Sequence, residues 1–517
     1  MKTGFARKQR SQQPEAQEKH LWVPELETQE ERRGWFAAVR ELLESRSHFD
    51  YPSTYKFDIR APWPQPSPVD PERMPPAVLH VPPAEVREFL RTVVRRYVRT
   101  LGTEWPLALR HALGNEVLAP LPDAEFSRLL GDTPFSRFLN PTLDAPDQHA
   151  FASLLREPRP GQTLYKADFS AMGQVKTLPG IHVAPTVSLF SRDASGQLVP
   201  LAIRIRELVL TPRDGDAWEL AKYFVLQGAV HELILVVHPR VHLPMDTVNA
   251  ISRTALPRTH VLARLLEPHR YMQLPLDFAV LHVERSVAHN HQRELYGGLP
   301  GDRRSNLGLM AIGYSGIEGN SSYPPYRFSF GPPTIHSPYG PFLRAYYEVI
   351  LAFVSKVVRH VSAGDPDVKR WADAIASFIS GFPNGQDIFT GNHLAEAVST
   401  FIHTVSVAHS ADHFAYSQEP MNVAPLRLRV PPPSSKRMEP LDRSRLVWRR
   451  DAFRHWMAKR MYFDTGTLKR LVDVEYGFGV PELETEAAGF REELRRLDRE
   501  LPRRYIPLEE IASSIQF

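Results

Sequence analysis

The sequence predicts a mainly α-helical fold built around long central helices, with a small β element. The longest apolar stretch runs through residues 216–270, and two further apolar segments of helical length occupy residues 342–361 and 393–416. Short apolar runs bounded by turn signals lie between residues 106 and 215. Long helical segments and short strands in separate parts of one chain favour a helical core with a minor sheet.

The composition is that of a globular protein and excludes several classes. The 517 residues are 42% hydrophobic and 24% charged, with a net charge of +4. The arginines alternate with apolar residues at helical spacing, which is typical of solvated helix faces, so we expect no nucleic-acid partner. Cysteine is absent, which excludes disulfides, thiolate metal ligands and a cysteine nucleophile. No apolar run approaches about 18 residues and no secretory signal opens the chain, so we expect a cytoplasmic protein without a transmembrane helix.

The N-terminal part is expected to combine helix and proline-rich connector. Thr28 and Glu31 have the spacing of a capping box in front of a short amphipathic helix. Residues 51–85 are rich in proline and predict an extended connector. Pro83 then opens a helix with a regular apolar stripe, which we expect to end at Gly102.

The remaining elements follow from local patterns. Short strands are expected at residues 164–169, 186–192 and 198–205. Consecutive prolines predict a loop at residues 430–435. Amphipathic helices are expected within residues 443–463 and 484–501.

Three histidines lie on one face of the most apolar helix. His231, His238 and His242 are separated by seven and four residues, and each step returns nearly to the same face of a helix with 3.6 residues per turn. The residues between them are mostly apolar, so the helix should be buried. A buried imidazole without a partner costs about 1–3 kcal/mol, and a shared metal ion would supply the partner. The alternative is that each histidine bonds separately to a carbonyl or carboxylate oxygen.

A second pair of histidines strengthens the metal interpretation. His409 and His413 are four residues apart, so one helical face carries both within reach of one ion. Imidazoles with a carboxylate and an open position suit redox iron, although zinc would also accept histidines. Asp412 and Glu232 stand beside the histidines and are expected either to orient them or to be ordinary paired charges.

Several segments resemble, in order, the catalytic domain of lipoxygenases. DGDAWELAKYFVL (214–226) resembles the segment before the family's iron-binding helix, HEL (231–233) the start of its His-x4-His motif, and RTHVLARLLEPH (258–269) the segment that follows. GFP (381–383) and TFIHTVSVAHSADHF (400–414) resemble the helix with the third and fourth ligands, and LRLRVPPP (426–433) the stretch after it. YIPLEEIASSIQF (505–517) resembles the C-terminal tail. The resemblance covers roughly residues 110–517.

This resemblance implies a lipoxygenase-like iron-binding domain over residues 106–517. Residues 1–105 would form an extension in place of the family's N-terminal β-barrel module. It implies one non-haem iron, held by histidines of both helices and by the carboxylate of the last residue, Phe517. It further implies a dioxygenase that converts a polyunsaturated fatty acid and O2 to a hydroperoxide.

The first ligand helix departs from the family pattern. The family's first two histidines are five residues apart on a widened helix, and from His231 that position is Val236, which cannot bind a metal. Two pairings remain, His231 with His238 or His238 with His242. We favour the first and keep His242 as a ligand or as a partner behind the ligands.

Two prolines follow this segment. Pro239 and Pro244 each lack an amide donor and clash with the preceding turn, so we expect them to break the helix. A local bulge at His238 is expected, and such bulges concentrate at functional sites.

The sequence is also compatible with two other functions. The iron site could oxidise a different substrate, such as a specialised metabolite, with the long irregular segment 297–341 acting as a lid. Alternatively, the fold could persist in a non-catalytic protein that binds a lipid or a partner. The chain is expected to be a monomer, and peripheral membrane contact is left open.

Overall fold

The computed structural model describes most of the chain after residue 82. The described residues are 54–56, 78–80, 83–113, 120–156, 161–192, 196–282, 298–302, 305–306, 309–310, 339–376, 379, 381–418, 426–463, 469–501 and 505–516. The helix predicted after Thr28 and most of segment 297–341 lie outside these residues, as does Phe517.

The predicted fold class is confirmed, because helices dominate and one small antiparallel sheet accompanies them. The helices are α1 (Pro83–Arg99), α2 (Trp105–Leu113), α3 (Asp123–Asp132), α4 (Ala145–Ala150), α5 (Ala152–Leu155), α6 (Gly215–Glu232), α7 (His238–Ala255), α8 (Val261–Leu266), α9 (Gln273–His282), α10 (Tyr339–Val358), α11 (Pro366–Ala376), α12 (His393–His403), α13 (His409–Gln418), α14 (Arg449–Tyr462) and α15 (Pro481–Glu500). The strands are β1 (Thr54–Lys56), β2 (Val78–His80), β3 (Leu139–Asn140), β4 (Thr163–Phe169), β5 (Thr186–Arg192), β6 (Leu198–Ile205) and β7 (Leu208–Leu210).

The sheet is an antiparallel meander that covers one side of the central helix. Strands β3 to β7 neighbour one another in chain order, while β1 and β2 form a separate pair. Phe169 of β4 pairs with Thr186 of β5, which pairs in turn with Ile205 of β6. Strands β5 and β6 have the bounds that the sequence predicts. β5 is buried along almost its whole length, because α6 packs against it.

Helix α6 is the centre of the core. Its residues 217–231 are all buried. A Cβ atom at Gly228 would lie 2.8 Å from Cβ of Phe169, so glycine is what lets α6 approach β4 this closely. Among the described residues, the span Pro212–Arg253 is long and apolar enough to cross a membrane, yet 83% of its most apolar window is buried inside the protein. We therefore interpret it as a core helix.

The helix that begins at Pro83 does not end at Gly102, and that prediction is wrong. Helix α1 continues through a π-helical turn, Thr100–Glu104, directly into α2. Glycine ends a helix when it adopts a positive φ, and Gly102 does not. The continuous helix passes through residues 105 and 106, where we placed a domain boundary, and that boundary stays a prediction.

The C-terminal tail is anchored by a buried histidine. Nδ1 of His269 lies 2.7 Å from the carbonyl oxygen of Ser513, and Nε2 lies 3.1 Å from the hydroxyl of Tyr476. A carbonyl can only accept, so Nδ1 carries the hydrogen and Nε2 accepts from the tyrosine. Burial lowers the pKa of His269 to about 4, although the bond to Ser513 opposes this shift.

This anchor predicts a loss of stability in mild acid. An unfolded histidine takes up a proton near pH 6.5, whereas His269 in the folded protein resists protonation down to about pH 4. Between these values the unfolded state binds more protons, so the free energy of unfolding falls as the pH falls, by about 3 kcal/mol in total. Urea unfolding at several pH values should show His269→Gln with a shallower decline, while the exposed control His360→Gln keeps the wild-type slope. Equal slopes for both variants would contradict the prediction.

Candidate metal centre

Two long helices each widen immediately before a pair of histidines. Leu233–Val237 forms a π-helical turn between α6 and α7, and Thr404–Ala408 forms another between α12 and α13. His238 and His409 are therefore the first residues after their π turns. The bulge expected at His238 is present, and it ends at Val237, the residue before this histidine.

The prolines do not break this helix, contrary to our expectation. Pro239 is the second residue of α7, directly after the widened turn. Pro244 lies inside α7, which continues to Ala255. Most of this helix is buried and packs against α9 and α11, and this packing holds the helix together through the proline.

Four buried histidines from these helices converge on one point. We call His238, His242, His409 and His413 the four-histidine group, since one ring nitrogen of each lies within 4.8 Å of the others. The Nε2 atoms of His238 and His242 are 2.9 Å apart, and Nε2 of His413 is 3.1 Å from Nε2 of His238. The rings of His238 and His409 are stacked, with their centroids 5.1 Å apart.

These distances fit ligands that share one metal ion. Two nitrogens bound at about 2.1 Å and at right angles to each other would be about 3.0 Å apart. The observed Nε2 separations of 2.9 and 3.1 Å lie on either side of that value. The donor set of neutral imidazoles suits a borderline transition metal.

Two buried carboxylates stand behind the first two histidines. Nδ1 of His242 lies 2.6 Å from Oδ1 of Asp277, and Nδ1 of His238 lies 3.6 Å from Oδ2 of Asp412. A carboxylate beside Nδ1 keeps the hydrogen on that nitrogen and leaves Nε2 as a bare lone pair. Two Nε2 lone pairs that face each other at 2.9 Å repel unless a cation lies between them. The hydrogen bond to Asp277 therefore orients the ring of His242 as a metal ligand, whereas Asp412 is a charged neighbour of His238 beyond hydrogen-bond distance.

A buried arginine holds the Asp412 carboxylate in place. Oδ1 of Asp412 accepts hydrogen bonds from Nη2 of Arg137 at 2.8 Å and from the Tyr339 hydroxyl at 3.0 Å. Both side chains of the ion pair are at most 4% exposed. Burial alone would raise the pKa of Asp412, but Arg137 holds this pKa below its usual value. Asp412 therefore remains ionised next to His238.

The environment keeps three members of the four-histidine group neutral. Burial, reinforced by the neighbouring His242, lowers the pKa of His238 to about 4. Burial and the adjacent histidines lower the pKa of His409 and of His413 well below 6.5. Metal ligation requires unprotonated imidazole, so at neutral pH these rings are ready to bind an ion. Phe463 packs against His413, with ring centroids 5.6 Å apart, and helps to exclude water.

The structure does not bring His231 into this group, although we favoured its pairing with His238. His231 is fully buried, and its ring nitrogens have no hydrogen-bond partner among the described residues. Seven residues of helix correspond to about 10 Å along the axis, so sharing a face does not bring two rings to one ion. His242 lies only one turn beyond His238, and its Nε2 atom meets that of His238. As ligands, His238 and His242 thus become the pair that the geometry favours.

The carboxylate of Phe517 lies outside the described residues, but the tail that leads to it approaches the site. Residues 511–516 are buried. The amide of Ala512 donates to Oγ of Ser410 at 3.0 Å, and Ser410 directly follows His409. The assignment of Phe517 as an oxygen ligand stays a prediction.

Sequence reasoning missed three residues that orient the site. Asp277 lies 35 positions from His242, and Arg137 lies 275 positions from Asp412. Tyr339 approaches from α10. Local patterns contain no signal for such distant partners. Asp412 was considered because it neighbours His413, and it does contact His238. Glu232, the other acid considered, is half-buried, and burial raises its pKa to about 8.

Comparisons with known proteins agree on the fold. No protein-family model matches the chain. A stretch of 124 residues is 30% identical to the epidermal-type polyunsaturated fatty acid (12S)/(13S)-lipoxygenase of Rattus norvegicus, and it covers 21% of this chain and 18% of the rat protein.

Solved structures extend the likeness over most of the chain. Coral 8R-lipoxygenase matches with a TM-score of 0.71 and 16% identity over 96% of this chain and 82% of its own. The manganese lipoxygenase of Gaeumannomyces graminis matches with a TM-score of 0.64 and 17% identity over 81% of this chain and 85% of its own. The chain therefore contains a lipoxygenase-like domain, as its sequence segments predict.

Proposed function

We propose that the protein is a non-haem iron dioxygenase that adds O2 to a polyunsaturated fatty acid and forms a hydroperoxide. The observation that carries this proposal is the convergence of four buried imidazoles at the ends of two π turns inside a lipoxygenase-like fold. The rat protein is named a polyunsaturated fatty acid lipoxygenase, which supports a polyunsaturated fatty acid as the substrate class.

The four-histidine group would hold the metal, with the carboxylate of Phe517 as an additional oxygen ligand. Imidazole and carboxylate ligands favour iron over metals that require soft ligands. Manganese is named for the Gaeumannomyces protein, so metal analysis has to discriminate between the two ions. Zinc would bind the imidazoles but has no redox chemistry.

Iron, when bound, would supply the one-electron chemistry that activates a bis-allylic carbon. The chain's own residues prepare the site for it. Asp277 lies within hydrogen-bond distance of Nδ1 of His242 and so directs the Nε2 lone pair of that ring inward, and the ionised Asp412 lies beside His238. Burial raises the pKa of the Tyr416 hydroxyl well above 10, so this neighbour of His238 stays protonated. The ring of Phe463 packs against those of His413 and Tyr416 and helps to exclude water from the histidines.

One experiment tests the identity of the metal and the identity of the substrate separately. Protein reconstituted with iron and, in parallel, with manganese or zinc is incubated with linoleate or arachidonate, while oxygen uptake and conjugated-diene absorbance are recorded. We expect stoichiometric iron and turnover with the iron form, and none with the zinc form. A protein that holds iron stoichiometrically but oxidises neither fatty acid would overturn the proposed substrate. A protein that retains no redox metal would overturn the proposal that it is a dioxygenase.

A further inference from the structure

The exposed large apolar side chains are concentrated in one part of the described structure. Seven such residues are exposed, and five of them lie between residues 98 and 113. They are Val98, Trp105, Leu107, Leu109 and Leu113, each between 43% and 53% exposed. The other two, Val199 and Val480, lie far away in sequence and are isolated from each other. Single exposed apolar residues need no explanation, whereas a concentration of them marks an interaction surface.

The geometry of α2 separates a covered face from an open one. Ala108, His111 and Ala112 are buried. Ala108 packs with Met457 and Met461 of α14. Trp105, Leu109 and Leu113 are spaced by four residues, so they form one stripe that borders the covered face and turns away from it toward Leu113. The helix is thus held to the protein along one side and presents leucine and tryptophan beside that side.

The same helix carries a row of exposed arginines. Arg91, Arg95 and Arg99 of α1 are also spaced by four residues and are all exposed, and Arg110 lies beside the apolar stripe on α2. Glu104 is the one acidic residue between residues 89 and 113, and it is half-buried against Arg460 and Trp456 of α14. Glu88, one turn before Arg91, is exposed and accepts a hydrogen bond from the Tyr271 hydroxyl. The open surface is therefore both apolar and positively charged.

We propose that this surface, formed by Arg91, Arg95, Arg99, Trp105, Leu109, Arg110 and Leu113, docks the protein on an anionic lipid membrane. Leucine and tryptophan enter the boundary between headgroups and acyl chains, where tryptophan is favoured. The arginines pair with anionic headgroups. A second copy of the chain fits less well, because a two-fold contact would place the arginine rows near each other.

Docking does not depend on the metal or on turnover, so its test is independent of the proposed function. The full chain is mixed with vesicles of phosphatidylcholine alone or of equal parts phosphatidylcholine and phosphatidylglycerol, and the bound fraction is measured by flotation. The wild-type protein should float with the anionic vesicles and much less with the neutral ones. Higher salt should reduce binding, because salt screens the arginine contacts.

Variants identify the surface. Leu109→Glu with Leu113→Glu should lower the partition coefficient about tenfold or more, since two leucines no longer enter the membrane. Arg95→Gln with Arg99→Gln should remove most of the preference for anionic vesicles. Val480→Glu places one such charge at an exposed valine elsewhere and should bind as the wild-type protein does. All these positions are exposed, and thermal unfolding confirms that each variant is folded before it is compared.

Three outcomes would overturn the docking proposal. The first is a wild-type protein that fails to float with anionic vesicles. The second is a double leucine variant that floats as well as Val480→Glu. The third is a stable dimer in sedimentation experiments that Leu109→Glu with Leu113→Glu dissociates, which would assign the surface to a second copy of the chain.

Discussion

Replacing His409 with alanine is expected to abolish stoichiometric metal binding. His409 is fully buried and belongs to the four-histidine group, and its ring stacks on that of His238. Loss of a group that merely orients a ligand typically lowers metal affinity 10–100-fold, and loss of a ligand should lower it by about 100-fold or more. The metal content after reconstitution and the increase in unfolding temperature on adding iron measure the effect, because an ion that binds only the folded state stabilises it.

His231 provides a matched control for this experiment. It is also a fully buried histidine on a long apolar helix, but it lies outside the four-histidine group. Its ring nitrogens have no hydrogen-bond partner among the described residues, so His231→Leu should leave the metal content unchanged and the apo-protein at least as stable. If His231→Leu loses the metal while His242→Ala keeps it, the pairing that we favoured from the sequence is correct and the arrangement proposed above is not.

Replacing Asp412 with alanine is expected to destabilise the protein by about 3–5 kcal/mol, because the buried Arg137 guanidinium loses its counter-ion. The hydroxyl of Tyr339 loses its acceptor at the same time. Urea unfolding of the metal-free protein measures this loss directly, without any contribution from the ion.

A double variant separates this structural role from the metal. Exchanging the buried pair for apolar residues, as in Arg137→Met with Asp412→Leu, should restore most of the stability, because no buried charge remains unpaired. The metal affinity should still be about 10–100-fold lower than in the wild-type protein, since the charge of Asp412 then no longer lies beside His238. A double variant that binds iron as tightly as the wild-type protein would show that Asp412 does not support His238 as a ligand.

Local patterns predicted much of the fold. Strands β5 and β6 alternate with turn signals and have the predicted bounds, and α10 and α12–α13 lie where long apolar segments predicted helices. These elements depend on residues that are near one another in sequence, which is why sequence reasoning reached them. The helix through Gly102 was predicted wrongly, because glycine permits an end without requiring one.

The candidate site was likewise predicted only in part. The spacing of His409 and His413 determined that both rings share one helical face, and His238 belonged to both pairings that we considered. The choice between His231 and His242 depends on their distances from His238 along the helix axis. Knowing which face of the helix each histidine lies on does not give these distances.

The sequence by itself determined the helical class, the histidines available to a metal and the likeness to lipoxygenases. Only the tertiary structure decided which histidines meet, and that Asp277, Arg137 and Tyr339 support them from distant elements. The physical reason is that a helical period specifies direction within one element. The position of an ion is set by how separate elements pack, and by π turns that no local pattern announces.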